Sequence, residues 1–138
     1  MKERISHYFD KLGQLFHHIQ VTDQNGTSLG LPSGIKKAID LILLQTSLGH
    51  KVIFIGNGAS ASIASHQATD CWKDGGIRAL AFNDSVLLTG VSNDFGYEYV
   101  FEKPVEMFAE PEDVAVAISS SGRSKNILNG VKAAKEKG

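Results

Sequence analysis

The amino-acid sequence predicts an α/β domain: a parallel sheet flanked by helices and preceded by two N-terminal helices. Three observations carry this. The apolar runs "KVIFIG" (51–56), "IRALAF" (77–82) and "VAVAIS" (114–119) have the length and composition of buried strands. Segments of helical period stand between and after them, as right-handed crossovers in a parallel sheet require. Ahead of the first run, apolar residues recur at intervals of three and four, which is the period of a helix and not of a strand.

Each element follows in order. Ile5, Tyr8, Leu12, Leu15 and Ile19 line one narrow face of a first helix, a coiled-coil-like seam that calls for another helix against it. The stretch "TDQNGTSLG" (22–30), with Asn25-Gly26 at its centre, breaks the pattern and is polar enough to stay unstructured. Pro32-Ser33-Gly34 restarts it, and from Ile35 to about Leu48 the positions Ile35, Ala38, Ile39, Ile42 and Leu43 give a wider, more buried face. The run at 51–56 reads as a central strand closed by Gly56, with a helix beginning near Ser60. The second strand, 77–82, is followed by Asp84-Ser85, suited to cap a short helix through Val91. A further helix starts at Tyr97, and Pro104, lacking an N–H, must kink or restart it. After the third strand at 114–119, Ser124 is placed to cap the helix 125–137. Three strands make a thin sheet, and the last would leave an apolar edge uncovered.

Composition narrows the function classes. The 138 residues suit one domain, residues 1–138, with 1–31 a helix and loop for packing between copies. The net charge is −1, and the Lys and Arg residues are scattered, which argues against a nucleic-acid partner. Cys71 stands alone and cannot form an intrachain disulfide, and no apolar run reaches membrane length. The expected setting is soluble and cytoplasmic, without a membrane partner.

Two turns are candidates for holding an anion. "GNGASA" (56–61) places Gly56, Gly58 and Ala61 between strand and helix at the spacing of a dinucleotide loop, and Asp84 could serve as its ribose-binding acid. The same glycines also suit a plain tight turn. "SSSGRS" (119–124) repeats the architecture after another strand, with the hydroxyls of Ser119, Ser120, Ser121 and Ser124 in place of glycines and Arg123 or Lys125 nearby. An ordinary N-cap explains one of those serines and leaves three without a purpose. A dinucleotide fold has no use for the second cluster, so no nucleotide cofactor is expected.

A third feature lies on the helix after the first strand. Ser62, His66 and Asp70 follow one another at i, i+4 and so share one polar line. By spacing alone this reads first as a surface pair worth a few tenths of a kcal/mol. His7, His17, His18 and His50 read as structural or solvated. Trp72, Phe95, Tyr97, Tyr99 and Phe101 read as core or subunit contacts.

The segments "GNGASASIASH", "SNDFGYEYVF" and "ISSSGRSKNILNGVKAAKEKG" together resemble the SIS (sugar isomerase) domain, and within it the phosphoheptose isomerase family. The resemblance runs from about residue 33 to the end, with the motifs in the family's order. It implies a SIS-type, flavodoxin-like sheet and an aldose–ketose isomerase that converts sedoheptulose 7-phosphate to a heptose 7-phosphate through an enediolate. It implies substrate contacts from Asn57, Gly58, Ala59, Asn93, Asp94, Ser119, Ser120, Ser121 and Ser124. It further implies a zinc ligand in His66, and a catalytic, metal-binding acid in Asp70, where the family has glutamate. Ala59 and Arg123 stand where the family usually has glycine and often has asparagine. Family members continue for roughly two more strands and a long helix, so the resemblance implies that this chain is C-terminally incomplete, without the remaining zinc ligands. A homotetramer packed through N-terminal helices and a role in lipopolysaccharide or capsule synthesis are also implied. The other reading the resemblance leaves open is a non-catalytic SIS module that binds a sugar phosphate or a protein, of the replication-initiator-associating type.

Overall fold

A computed structural model describes residues 1–138, which fall into two compact units, Met1–Leu41 and Ile42–Gly138. The first unit opens with α1 (Lys2–Leu15), continued by one 3-10 turn at Phe16–His18. No residue of α1 is buried, and its predicted seam is open, with Tyr8 and Leu15 more than half exposed. The stretch expected to be unstructured is a small hairpin. β1 (Val21–Thr22) pairs antiparallel with β2 (Ser28–Leu29). The reason is Asp23: its Oδ1 accepts from the N–H groups of Asn25 and Thr27, both at 2.9 Å, which closes the turn, while Gly26 takes a φ of 79°. Those N–H groups also hold the Asp23 pKa below its ordinary value.

The next helix, α2 (Leu31–Ser47), starts four residues earlier than the expected Ile35. Pro32 sits in its first turn, where a missing N–H costs nothing and the fixed φ already suits a helix. The buried face expected of α2 does not form: Ile35, Ile39 and Leu43 are at least half exposed. Only Gly34 is buried, because the side chain of Val21 occupies the space a Cβ would need.

The second unit is built on a parallel sheet of β3 (Val52–Gly56), β4 (Ala79–Ala81) and β5 (Val114–Ile118), in the order β4-β3-β5. The central place of β3 follows from its sequence, since all five of its residues are buried. Alternation divides them. Val52 and Phe54 face Ala64 and Ala68 of α3 (Ala59–Lys73), with Ile42 alongside. Ile53 and Ile55 face the opposite layer, made by α4 (Ser85–Asp94), α5 (Glu102–Phe108) and α6 (Lys125–Lys137). Its anchor is Phe101, 1% exposed, which contributes about 2–3 kcal/mol by burial.

Local chemistry sets the boundaries. Asp84 Oδ1 accepts from the N–H groups of Val86 and Leu87 at 2.9 and 3.1 Å and so starts α4. With its carboxylate held there, Asp84 is a cap and not a ribose-binding acid. After α4 the chain turns at Gly96, with φ at 105°, into a 3-10 turn at Tyr97–Tyr99, and α5 is a fresh start with Pro104 in its first turn. No helix is long and apolar enough to cross a membrane.

The amino ends of the strands are fastened by charge. Lys51 Nζ lies 2.6 Å from Asp113 Oδ2 and 2.9 Å from Glu110 Oε2, while Lys51 N–H donates to Asp113 Oδ1 at 2.8 Å. The Lys51 and Asp113 side chains are 9% and 3% exposed.

Candidate active site

The strand order brings the two anion-binding candidates together. From β3 the chain crosses over α3 to β4 on one side, then returns through α4 and α5 to β5 on the other. A crevice opens at the carboxyl ends of strands where such a winding reverses. Gly56 pairs in register with Ile118, so the glycine turn and the serine turn leave adjacent strands at the same level.

The glycine turn is shaped by close approach. A Cβ on Gly56 would come within 2.6 Å of the Ser60 carbonyl oxygen, so only glycine lets the first turn of α3 fold back over the strand end. Gly58, the N-cap, has a φ of 54° and no side-chain cap bond. Ser60 N–H returns to the Asn57 carbonyl at 3.0 Å. The start of α3 thus presents backbone N–H groups and the positive end of the helix dipole to the crevice.

The serine turn divides its hydroxyls. Ser119 Oγ accepts from Gly122 N–H at 3.0 Å and Ser121 Oγ accepts from Arg123 N–H at 3.2 Å, which folds the loop, with Gly122 at a φ of 62°. Ser120 is exposed. Ser124 is the N-cap of α6 as expected, but its hydroxyl makes no cap bond. The N-terminal N–H that it might have taken, that of Ile127, goes to Asn126 Oδ1 at 3.0 Å.

Both turns line one cavity of about 250 Å³, bounded by Asn57, Tyr97, Glu98, Ser124, Lys125 and Asn126. Asn57 and Asn126 join the turns by a reciprocal pair of amide bonds of 2.9 and 2.8 Å, and the Tyr97 hydroxyl donates to Asn57 Oδ1 at 3.1 Å. Sequence reasoning missed Tyr97, Glu98 and Asn126. Tyr97 groups with core aromatics by sequence, and Glu98 and Asn126 carry no signal as site residues. A larger hollow of about 500 Å³ lies beside Met1, Arg4, Ile5 and Tyr8 on α1 and gathers none of the candidate residues.

Other predicted site residues lie apart from the cavity lining. Asn93 and Asp94 end α4 on the surface, where Asn93 Nδ2 donates to Asp94 Oδ1 at 2.9 Å. His66 and Asp70 do pair, Nε2 to Oδ2 at 3.2 Å, and Lys73 Nζ stands 3.9 Å from Asp70 Oδ1. Their side chains are 74% and 37% exposed. By helical rise, His66 is about 10 Å and Asp70 about 16 Å along α3 from Ala59, and neither lines that cavity. The pair supplies two metal donors, and no group of three His, Cys, Asp or Glu side chains is gathered there or elsewhere. Zinc sites ordinarily take three or four protein ligands. The residues of this chain do not complete one, and no step is derived through a metal.

Comparison with known proteins agrees with this architecture. The SIS domain family matches residues 7–138. The phosphoheptose isomerase of Nitratidesulfovibrio vulgaris is 42% identical over 101 residues, covering 69% of this chain and 49% of the relative. That of Glaesserella parasuis is 39% identical over 123 residues, covering 86% of this chain and 62% of the relative. The structure of phosphoheptose isomerase GmhA from Neisseria gonorrhoeae superposes with a TM-score of 0.83 at 31% identity, over 99% of this chain and 70% of that one. A phosphoheptose isomerase from Francisella tularensis gives the same TM-score at 28% identity, over 98% and 70%. The chain spans between about half and three fifths of the length of the curated relatives it matches. With the sheet order, the paired turns and this match in agreement, the chain belongs to the SIS domain family, and its relatives there are phosphoheptose isomerases.

Proposed function

We propose that this chain binds a sugar phosphate and takes part in its aldose–ketose isomerisation, with sedoheptulose 7-phosphate and a heptose 7-phosphate as the reacting pair. The observation that carries the reading is the cavity at the carboxyl end of the sheet. Two helix N-termini and two polar turns meet there, held by the Asn57–Asn126 pair. A phosphate seated between them receives backbone N–H groups from the glycine turn and the free hydroxyl of Ser124, with Lys125 adding positive charge. Gly58, Ala59, Ser119, Ser120 and Ser121, in the same two turns, are proposed as further phosphate contacts, and Asn93 and Asp94, outside the cavity lining, as contacts to the sugar.

In the proposed reaction Asp70 takes the proton from the carbon beside the carbonyl and the C–H electron pair forms the enediolate; a proton passes from the hydroxyl of that carbon to the former carbonyl oxygen, and Asp70 returns its proton to the former carbonyl carbon. His66, 3.2 Å from Asp70 Oδ2, is proposed to orient the carboxylate. Zinc would need donors beyond these two. The open seam of α1 supports assembly of copies through their N-terminal helices, with a homotetramer as the proposed state. The proposed setting is the cytoplasm, and the proposed destination of the product is lipopolysaccharide or capsule.

The test follows sedoheptulose 7-phosphate by NMR in the wild-type protein and in Asp70→Asn. Turnover is expected to fall by at least about 100-fold in the variant, the low end for loss of a general base, while phosphate affinity holds. An active Asn variant removes Asp70 as the base. The second reading, a non-catalytic SIS binding module, is favoured by the separation of Asp70 from the cavity. Calorimetric binding of the sugar phosphate with no turnover in the wild type would establish it.

A further inference from the structure

Asn126 is a buried polar residue, 3% exposed, and it lies away from the charged cluster of Lys51 and Asp113. Its hydrogen bonds form an ordered sequence. The N–H of Ile127 can only donate, so Asn126 must turn its oxygen toward it, at 3.0 Å. That choice fixes the amide end of Asn126, which donates to Asn57 Oδ1 at 2.8 Å. Asn57 must then return its own amide to Asn126 Oδ1, at 2.9 Å, and its oxygen also accepts from the Tyr97 hydroxyl at 3.1 Å. Both lone-pair sites of Asn57 Oδ1 are thereby filled, and one N–H of its amide is left over.

From this we infer that Asn126 is a positioning residue. It fixes the sense of the Asn57 amide so that the glycine turn offers an anion a donor and never an acceptor, and it ties that turn to the serine turn. The inference rests on the reading of the cavity as a phosphate site. With Asn126 unable to donate, Asn57 is released to turn its oxygen toward the anion, and the distance between the two turns is no longer set.

The test is calorimetric titration of inorganic phosphate into the chain as wild type, Asn126→Asp, Asn126→Ala, Asn57→Ala and the double alanine variant. Asn126→Asp keeps the shape and the bond from Ile127 but loses the donor, so affinity at pH 8 is expected to fall about tenfold or more. Asn126→Leu, of similar size and uncharged, titrated alongside, should lose affinity to a like extent, which separates the lost donor from the negative charge that aspartate adds. In the Asn57→Ala background, removing Asn126 should cost less than about twofold, since the two act as one unit. Unaltered affinity in Asn126→Asp, or alanine losses that simply multiply, overturns the inference. If Asn126→Ala does not fold, the near-isosteric aspartate decides alone. Wild-type protein that binds no phosphate overturns the cavity reading and this inference together, whereas wild-type binding with an unaffected aspartate variant overturns this inference only.

Discussion

Ser124 shows how a single side chain separates structure from binding. A serine at an N-cap ordinarily stabilises its helix by about 1 kcal/mol through a bond to the first turn. Here that bond is absent, and Asn126 serves the first turn instead. Ser124→Ala is therefore expected to leave the urea midpoint nearly unchanged while weakening phosphate binding about tenfold to 100-fold, the value of one hydrogen bond to a charged group. Paired calorimetry and urea titration check it; a variant that loses stability and keeps its affinity would return Ser124 to an ordinary cap. The sequence made Ser124 visible as a cap because position and residue type suffice for that. It could not show that the hydroxyl stays free, because this depends on an asparagine two residues on that is drawn away to a partner 69 residues earlier in the chain.

Among the elements, α6 is seated on β3 through a glycine. A Cβ on the buried Gly130 would meet Ile55 Cδ1 at 2.9 Å and Phe101 Cβ at 3.0 Å, so the helix approaches the sheet more closely than any larger residue permits. Gly130→Ala gains helix propensity but must push those neighbours aside, and a net loss of about 1–2 kcal/mol in urea unfolding is expected. Elements of this unit were legible wherever the pattern was strong. The strands at 51–56 and 114–119 and the helix after Ser124 stand within a residue of their expected places. The misses have a common cause. The hairpin at Val21–Leu29 depends on one aspartate gathering two N–H groups, and the start of α2 on proline's indifference to the first turn, neither of which a hydrophobic period records. The open face of α2 has another cause. Apolar period shows which side of a helix seeks cover, while what supplies the cover is another element's property.

For the molecule as a whole, the charged cluster at Lys51 sets the response to pH. Burial opposes the charge on Asp113, but the Lys51 ammonium and the N–H groups of Lys51 and Glu110 outweigh it, so its pKa lies below the ordinary 3.8 of an aspartate. Burial likewise opposes the charge on Lys51, and the Asp113 and Glu110 carboxylates outweigh it, raising its pKa above 10.5. The lowered carboxyl gives stability that is present above pH 3.8 and is lost as pH falls through its folded value. The raised ammonium gives stability that is full below pH 10.5 and is lost as pH rises through its folded value. Urea midpoints should therefore be level between these limits and fall outside them. Lys51→Met leaves a carboxylate buried without its cation, and the expected cost at neutral pH is about 3 kcal/mol, with a shallower decline in acid. A Met variant as stable as wild type at pH 7 would show the cluster to be ornamental.

Lys51 immediately precedes the fully buried β3 and Gly56 ends it, five residues and about 17 Å away. That strand behaves as a stiff rod, moored at its amino tip and gripping at its carboxyl tip. Drift in the sequence around the grip can therefore retune which ligand is held without loosening the mooring, which leaves the scaffold free to change its chemistry at little risk to its fold.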